Sequence, residues 1–414
     1  MSRLLLVAPP FAGHLFPLVA IGKRLRAAGH EVRFASTPAA MPLLERLRFD
    51  ADVLLADDPS ALERIADTGR EVGHNPLRLV GQLRQNLAVL PRARAELDAL
   101  IARHRPAAVV ADFTAPVAGW AARDAGVGWI TTIPTPFAIE TRTGTPSYCG
   151  GWSPPTRPWH RVRDAAGRLA VRGFKRTVGA VFADELRALG TGVYRPDGTE
   201  AVYSPTRILG LGLAELEFPR DWPTGFRLVG PVTESPEPRA LPPELARPGR
   251  RVLVTLGTHL GWARDDLPAA VTRLAARFTD HEFVISRGDP AGSGLHRVAE
   301  RVWECAYLPY DQVLPGFEAV IHHGGAGVAY STLRAGLPAL VWPHDYDQPD
   351  YAARLVARGA ALRVRDLTSR RSADALARVL RGLPGVPALR EGVRRSDPFA
   401  AALDAVAEVT ATTG

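Results

Sequence analysis

The 414-residue sequence predicts an α/β protein built from two Rossmann-like domains that face each other across a cleft. Two observations support this fold class. Apolar runs of strand length alternate with stretches of helical periodicity near the N-terminus, and the same alternation begins again after residue 250. A proline-rich stretch without apolar periodicity, ESPEPRALPPELARPG at Glu234–Gly249, separates the two series.

The first half opens with a strand, a helix and a second strand. The apolar run Arg3–Ala8 predicts the first strand, and Phe16–Ala28 carries leucine and isoleucine at helical spacing. Gly29 ends that helix and a strand follows at once. The later elements of this half are predicted at Val32–Ala35, Ala107–Ala111, Pro116–Ala125 and Trp129–Ile133.

An irregular segment follows between Thr141 and Pro205, where glycine, proline and tryptophan interrupt the alternation. It contains a basic helical stretch near Val162–Leu189. We expect this insertion to lie at the edge of the sheet that carries the ligand.

The second half repeats the strand and helix alternation. Its predicted elements are Val252–Leu256, Leu267–Phe278, Phe283–Ser286, Ala319–His322, Val328–Ala335, Ala339–Trp342, Gln348–Ala357 and Ala361–Val364. The predicted division is an N-terminal domain at 1–233, a linker at 234–249, a second domain at 250–395 and a C-terminal segment at 396–414. Ligands of open α/β sheets bind at the carboxyl ends of the strands, so the cleft is the expected site.

Composition sets few limits on function. The net charge of +8 comes mostly from scattered arginines, without a run of five like charges, so we predict no nucleic-acid partner. The two cysteines fit a reducing cytoplasm. No apolar window is long enough for a membrane span or a secretory signal, and we predict a cytoplasmic protein.

A glycine turn in the second half predicts an anion site. It lies within the segment Ile321–Asp347, which reads IHHGGAGVAYSTLRAGLPALVWPHDYD. His323-Gly324-Gly325-Ala326-Gly327 follows a strand and opens a helix, whose free N–H groups and dipole attract a phosphate. Three glycines exceed what packing alone requires, which suggests a ligand close to the backbone. The turn is neither a Walker A loop nor a dinucleotide fingerprint.

The run HGGAGVAYSTLRAGLPALVWPHDYDQ resembles the donor-binding signature of the GT-B nucleotide-sugar glycosyltransferases, in particular those of bacterial natural-product pathways. The motifs Gly13-His14, Val229-Gly230-Pro231 and Thr255-Leu256-Gly257-Thr258 extend the resemblance over nearly the whole chain. It also implies that the helical stretch Pro398–Val409 packs back on the first domain.

The resemblance implies a set of donor-binding residues. His323 and the amides of Gly325, Ala326, Gly327 and Val328 would hold the diphosphate, with Thr258 as a further donor. Tyr307 would stack on the base, and the backbone of Leu308 would read its edge. Asp347 and Gln348 would bind sugar hydroxyls.

Two positions depart from the family pattern. Val328 stands where a Thr or Ser would give a hydroxyl to the phosphate, and Ser331 stands where a Glu often grips the ribose hydroxyls. A weaker ribose contact fits a deoxyribose, which favours a dTDP-sugar over a UDP-sugar without excluding the latter.

The resemblance further implies that His14 is the catalytic base and that Asp112 orients it. A histidine at a helix start or an aspartate at a strand end is by itself more often a cap. At the matching family positions, the imidazole would take a proton from the acceptor hydroxyl as it attacks the anomeric carbon. Phe11 and the insertion residues Trp152 and Trp159 are candidate acceptor-binding residues.

A metal site is weighed at Asp345-Tyr346-Asp347, which matches the Asp-x-Asp pattern that another glycosyltransferase fold uses for Mn²⁺. The pattern lies where the resemblance places sugar-binding residues, and helix amides already supply the charge stabilisation. Because His322 and His323 are adjacent, they point to opposite faces of a strand. We predict no metal and no cofactor.

The predicted function is an inverting glycosyltransferase that acts on a small apolar acceptor such as an antibiotic aglycone, as a monomer or a homodimer. The alternatives are a sterol or lipid glycosyltransferase, a nucleotide-sugar 2-epimerase and a non-catalytic helper protein on the same fold. The identities of the sugar and the acceptor stay open. A few contacts decide the sugar, and irregular loops form the expected acceptor site.

Overall fold

A computed structural model describes residues 1–73, 75–247, 249–257, 261–290, 292 and 294–412. Within these ranges the strands form two separate seven-stranded sheets. Their central strands are buried on both faces, which is why they read as continuous apolar runs.

The first sheet is entirely parallel. Its strands are β1 (Arg3–Val7), β2 (Glu31–Ser36), β3 (Asp50–Val53), β4 (Ala108–Asp112), β5 (Gly128–Ile133), β6 (Arg207–Gly210) and β7 (Phe226–Leu228), in the order β3-β2-β1-β4-β5-β6-β7. Its helices are α1 (Ala12–Ala27), α2 (Met41–Arg46), α3 (Ala61–Ala66), α4 (Pro76–His104), α5 (Pro116–Asp124), α6 (Pro158–Val181) and α7 (Ala183–Ala188). Short 3₁₀ turns lie at Pro38–Ala40 and Pro136–Ala138.

The second sheet has one antiparallel edge pair. Its strands are β8 (Arg251–Thr255), β9 (Glu282–Ser286), β10 (Leu295–Ala299), β11 (Val302–Cys305), β12 (Ala319–His322), β13 (Ala339–Val341) and β14 (Ala361–Arg363), in the order β10-β11-β9-β8-β12-β13-β14. Strands β10 and β11 are the antiparallel pair. The helices here are α8 (Pro243–Ala246), α9 (Gly261–Arg264), α10 (Leu267–Ala275), α11 (Tyr310–Val313), α12 (Ala326–Ala335), α13 (Gln348–Ala357), α14 (Arg370–Leu380), α15 (Val386–Arg395) and α16 (Pro398–Thr412), with a 3₁₀ turn at Leu314–Gly316.

The two halves share a buried interface around α13. Arg354 of this helix is 1% exposed and lies between the rings of Phe137 and Phe218, with its guanidinium carbon 3.8 and 4.6 Å from their centroids. Its Nε donates to Glu217 at 3.1 Å, and the neighbouring Tyr351 hydroxyl donates to the Pro134 carbonyl at 2.7 Å. A buried ion pair enclosed by aromatic rings therefore sets how the second domain sits on the first.

The last helix returns to the first domain. Ala402, Ala405 and Val406 of α16 belong to the same buried cluster as the inner residues of β1 and α1. The last strand of the first sheet ends at Leu228, and the second sheet begins at Arg251.

The start of α1 differs from the sequence expectation. The helix begins at Ala12 rather than Phe16, because the extended Phe11 carbonyl accepts the N–H groups of His14 at 2.9 Å and Leu15 at 2.8 Å. Pro17 therefore lies inside the helix, beyond its first turn. Because proline has no backbone N–H, Pro17 cannot donate a hydrogen bond to the preceding turn. His14 is thus held on the first turn of a helix.

The insertion also differs in detail. The basic helical stretch expected at Val162–Leu189 begins earlier, at Pro158, and is divided at Phe182 into α6 and α7. The sequence reasoning did not identify the 29-residue helix α4 or the β10 and β11 pair.

Candidate active site

His14 and Asp112 meet at the carboxyl edge of the first sheet. His14 stands on the first turn of α1, directly after β1, and Asp112 is the last residue of β4, which pairs with β1. The His14 Nδ1 lies 3.0 Å from Asp112 Oδ1, while the side chains are 21% and 1% exposed. Since the carboxylate can only accept, Nδ1 carries the proton and Nε2 is left as the basic nitrogen.

Thr114 fixes the orientation of Asp112. Its backbone N–H donates to the same Oδ1 at 2.9 Å, and its hydroxyl donates to that oxygen as well. This residue was missed by the sequence reasoning, although an Asp followed two positions later by Thr is a known turn signal. The turn and the imidazole therefore hold the same carboxylate oxygen, Oδ1.

The surroundings strengthen His14 as a base. Burial lowers its pKa, but the charge of Asp112, the hydrogen bond that His14 donates to that carboxylate and the charge of Asp347 outweigh this effect, so the pKa of His14 is raised. A raised pKa means that the imidazolium formed on taking a proton is stabilised. His14 is thus poised to accept a proton in the cleft between the two domains.

Two phenylalanines flank the imidazole. The Phe11 ring centroid lies 6.5 Å away in an edge-on arrangement, and Phe113 lies 5.6 Å away with a tilt of 43°. Phe11 is one of the predicted acceptor-binding residues, whereas Phe113 was missed although it directly follows Asp112. Together they give the base an apolar border.

The two predicted tryptophans have other neighbours. Trp152 lies under the Arg163 guanidinium at 4.8 Å from the ring centroid and packs against Gly167 of α6. Trp159 is 57% exposed and stacks edge-on with His160 at 3.9 Å. Trp159 therefore lies on the solvent side of α6, and its contact with an acceptor stays a prediction.

The glycine turn encloses the His323 ring. A Cβ atom on Gly325 would lie 2.4 Å from His323 Nε2, and one on Gly257 would lie 2.6 Å from its Cε1. Gly324 has a φ of +99° and approaches the carbonyl oxygen of Gln348, where a Cβ would stand 2.9 Å away. Contrary to the sequence argument, close packing alone explains Gly324 and Gly325.

Gly327 is the glycine that packing does not explain. It is exposed on the first turn of α12, and a Cβ there would meet nothing within 4 Å. The first N–H groups of a helix have no carbonyl partner within it, so Ala326, Gly327 and Val328 present an amide cluster at this end. The Val328 side chain is 3% exposed and packs in the core.

His322 is a structural residue. It is 1% exposed, and burial lowers its pKa to about 3. Its Nδ1 accepts the N–H of Gly324 at 3.0 Å, which fixes the start of the turn. The neutral imidazole therefore shapes the loop that positions His323.

Tyr307 and Leu308 follow β11 near the linker. The Arg239 guanidinium covers the half-buried Tyr307 ring at 4.7 Å from the centroid. The Leu308 side chain is 1% exposed within the core, so only its backbone can face a ligand. Arg239 was missed because it belongs to the linker, and the predicted donor residue Thr258 lies outside the described residues.

Asp347 and Gln348 begin α13 on the side of the cleft opposite His14. The Asp347 Oδ2 accepts the Thr135 hydroxyl at 2.7 Å, and Thr135 stands just after β5 of the first domain. Burial is the main cause that raises the pKa of Asp347. Gln348 Oε1 accepts the N–H groups of His344 and Asp345 at 2.9 and 3.0 Å, so its amide nitrogen is the group left for a sugar hydroxyl.

Asp345 has a structural partner in the first domain. Its carboxylate is 2% exposed and accepts the backbone N–H groups of Val72, at 2.7 Å, and Gly73. Both oxygens of the first carboxylate in Asp345-Tyr346-Asp347 are thus already bonded. Among the described residues, no three His, Cys, Asp or Glu side chains form a group suited to a metal ion.

Comparison with known proteins agrees with this architecture. Residues 271–411 match the model of the erythromycin biosynthesis protein CIII-like C-terminal domain. The chain is 27% identical to the O-mycaminosyltylonolide 6-deoxyallosyltransferase of Streptomyces fradiae, over 95% of this chain and 92% of that one. It is 28% identical to the L-demethylnoviosyl transferase of Streptomyces niveus, over 87% and 84%.

Solved structures share the fold over the full length. The glycotransferase of kitacinnamycin superposes with a TM-score of 0.70 at 22% identity, and the alignment covers 99% of both chains. The chain is a glycosyltransferase of the GT-B fold. The glycosyltransferase VinC, solved in complex with DTDP, superposes with a TM-score of 0.67 at 20% identity, over 99% of this glycosyltransferase and 100% of VinC.

No helix in the described part of this glycosyltransferase is both long and apolar enough to cross a membrane. The candidate site lies between the two α/β domains, with His14 and Asp112 contributed by the first domain and Asp347 by the second.

Proposed function

We propose that this glycosyltransferase moves a sugar from a dTDP- or UDP-linked donor to a hydroxyl of a small apolar natural product, with inversion at the anomeric carbon. The observation that carries the proposal is the His14 to Asp112 hydrogen bond of 3.0 Å, at a place where the charge of Asp347 from the second domain also acts on the imidazole. Base and sugar-binding carboxylate stand on opposite domains, as a direct transfer between two bound substrates requires.

The chemistry follows from these groups. His14 Nε2 takes the proton of the acceptor hydroxyl while that oxygen forms a bond to the anomeric carbon. The bond between this carbon and the diphosphate breaks on the opposite side, so one displacement inverts the configuration. The amides at the start of α12 stabilise the departing diphosphate, and Asp112 stabilises the imidazolium.

The relatives support the acceptor and donor classes. The two named above transfer a deoxyallosyl and a demethylnoviosyl group, and VinC was solved with DTDP. Val328 and Ser331 fit a donor with fewer hydroxyl contacts, because Ser331 is 6% exposed and too short to grip two ribose hydroxyls. We therefore favour the dTDP-sugar.

A zeaxanthin glucosyltransferase is 26% identical over 92% of the chain, so lipid acceptors are included in the transfer screen described next.

The test is a mass-spectrometric transfer screen of dTDP- and UDP-sugars against polyketide, macrolide, aromatic and sterol acceptors. We expect His14→Ala to lower the transfer rate by about 10²–10⁴-fold. His296→Ala is the matched control, because the His296 side chain is 64% exposed on β10. Equal rates for His14→Ala and the parent would reject the base assignment, and donor isomerisation without transfer would favour an epimerase.

We also propose that transfer needs no metal ion. Asp345 is held by backbone amides, and Asp347 accepts from Thr135, so the two carboxylates serve different partners. We expect EDTA to leave the transfer rate unchanged. Loss of activity that Mn²⁺ restores would overturn this proposal.

A further inference from the structure

A cavity of about 400 Å³ lies between α6 and the loop that follows Thr135. Its apolar lining residues include Phe137, Ile139 and Leu169. This volume falls within the range of sites that hold drug-sized molecules. The loop brings the cavity next to the cleft, since Thr135 at its start donates to Asp347.

The lining of the cavity also contains four arginines. Arg142, Arg168, Arg172 and Arg220 all line it, and Glu140 is the carboxylate among the lining residues. Arg168 donates to the Gly144 carbonyl at 2.5 Å. A carbonyl satisfies a hydrogen bond but does not neutralise a charge.

Arg220 is in the same situation as Arg168. It donates to the carbonyls of Phe137 and Thr145, both at 3.1 Å. Its pKa is lowered to about 10, mainly by burial and also by the like charge of Arg354. Within the described part of the chain, Arg142, Arg168 and Arg220 have no carboxylate at salt-bridge distance. Arg168 and Arg220 are partly buried, and cations in such positions without a carboxylate favour an anionic partner, whereas Arg142 is exposed.

The carboxylate of Glu140 does not balance these charges, because it is already paired. It lies 3.1 Å from Lys175 Nζ and 3.4 Å from Arg172 Nη1, and it accepts the Tyr194 hydroxyl at 2.6 Å. Lys175 also pairs with the buried Glu200, and Asp164 pairs with Arg163. These pairs leave Arg142, Arg168 and Arg220 as the lining cations without a carboxylate at salt-bridge distance, while the charges of Glu217, Asp350 and Asp221 also act on Arg220.

Tyr148 connects the cavity with the catalytic cleft. It lines the cavity, and its backbone N–H donates to Asp350 of α13 at 2.8 Å. Desolvation, followed by the charges of Asp347 and Asp350, raises the pKa of its phenol. Tyr148 therefore joins the cavity to α13, the helix that begins directly after Asp347.

We propose that this cavity binds the acceptor and selects one that carries a carboxylate on an apolar body. The apolar body lies against Phe137 and Ile139, and the carboxylate lies among Arg142, Arg168 and Arg220. This inference rests on the proposed function, because the bound molecule is an acceptor only if the protein transfers a sugar to it. Binding of the molecule itself can be measured without transfer.

The experiment measures binding of a matched pair of probes by calorimetry, without donor. The probes are a hydroxynaphthoic acid and the corresponding hydroxynaphthamide, which have the same ring and hydroxyl but differ in charge. We expect the acid to bind about tenfold more tightly than the amide. We expect Arg142→Gln to weaken only the acid, by about threefold, because this side chain is exposed.

Arg168→Gln is the second variant, with an expected loss of about tenfold for the acid, and Arg168→Lys should recover part of it. Arg176→Gln is the matched control, since Arg176 is exposed on the same helix and does not line the cavity. Equal binding of acid and amide, absence of binding of both, or an acid affinity unchanged in Arg142→Gln and Arg168→Gln overturns the proposal.

The outcome separates this proposal from the proposed function. Dependence of transfer on His14 together with equal binding of acid and amide rejects the anionic acceptor and leaves the glycosyltransferase mechanism intact. Arginine-dependent binding of the acid, followed by its glycosylation in the presence of a dTDP-sugar, supports both.

Discussion

Replacement of Asp112 by Asn tests the central pair most directly. The change removes one charge at a position that is 1% exposed and keeps nearly the same volume. An amide at this place cannot stabilise the imidazolium that forms as His14 takes a proton. If its NH₂ group turns toward Nδ1, the ring also adopts the tautomer in which Nε2 is protonated and cannot act as the base.

The magnitude follows from the 3.0 Å contact between His14 and Asp112. A hydrogen bond to a charged group contributes about 1.5–3 kcal/mol, which corresponds to about 10–150-fold in rate. The wrong tautomer adds to that loss. We therefore expect a decrease of about 10²-fold in the transfer rate at saturating substrates, with a donor KM close to that of the parent.

The pH profile gives a readout that a purely structural effect would not produce. In the parent, activity rises with pH through the raised pKa of His14, because the base must be deprotonated. Burial lowers this pKa and the Asp112 charge raises it, so Asp112→Asn should move the inflection to lower pH and reduce the plateau. Asp184→Asn, at a 90% exposed site, is the control. An unchanged inflection in Asp112→Asn would refute the assignment.

Two further predictions concern Thr135 and the glycine turn. Thr135→Val removes the 2.7 Å hydrogen bond to Asp347, and we expect the donor KM to rise about 2–12-fold with a smaller change in the maximal rate. Steady-state kinetics with varied donor check this, and an unchanged KM contradicts it. Gly325→Ala should lower the free energy of unfolding by about 1–3 kcal/mol, because the new Cβ would stand 2.4 Å from the His323 ring. In Gly327→Ala the new Cβ would meet open space, so we expect the melting temperature to stay unchanged or rise while donor binding weakens. Equal melting temperatures for Gly325→Ala and Gly327→Ala would contradict the expected difference in stability between the two variants.

The sequence by itself determined the α/β character of both halves, because apolar periodicity is a local property. The strand Ala319–His322 and the helix Gln348–Ala357 agree with the structure at both ends. The meeting of His14 and Asp112 was expected from the family resemblance and not from residue periodicity. The structure gives its reason, since β1 and β4 pair in parallel and end at the same edge of the sheet.

The tertiary structure decided what depends on contacts between distant segments. The Phe11 carbonyl, and not a residue pattern, sets the start of α1. Gly325 is required by the ring of His323, a neighbour whose orientation no local rule gives. Asp345 is held by the backbone of Val72, 273 positions away. The arginine-lined cavity likewise joins α6 with a loop about thirty residues earlier in the chain. Side-chain packing and charge pairing between such segments are set only when the chain is folded, so the residue order alone does not express them.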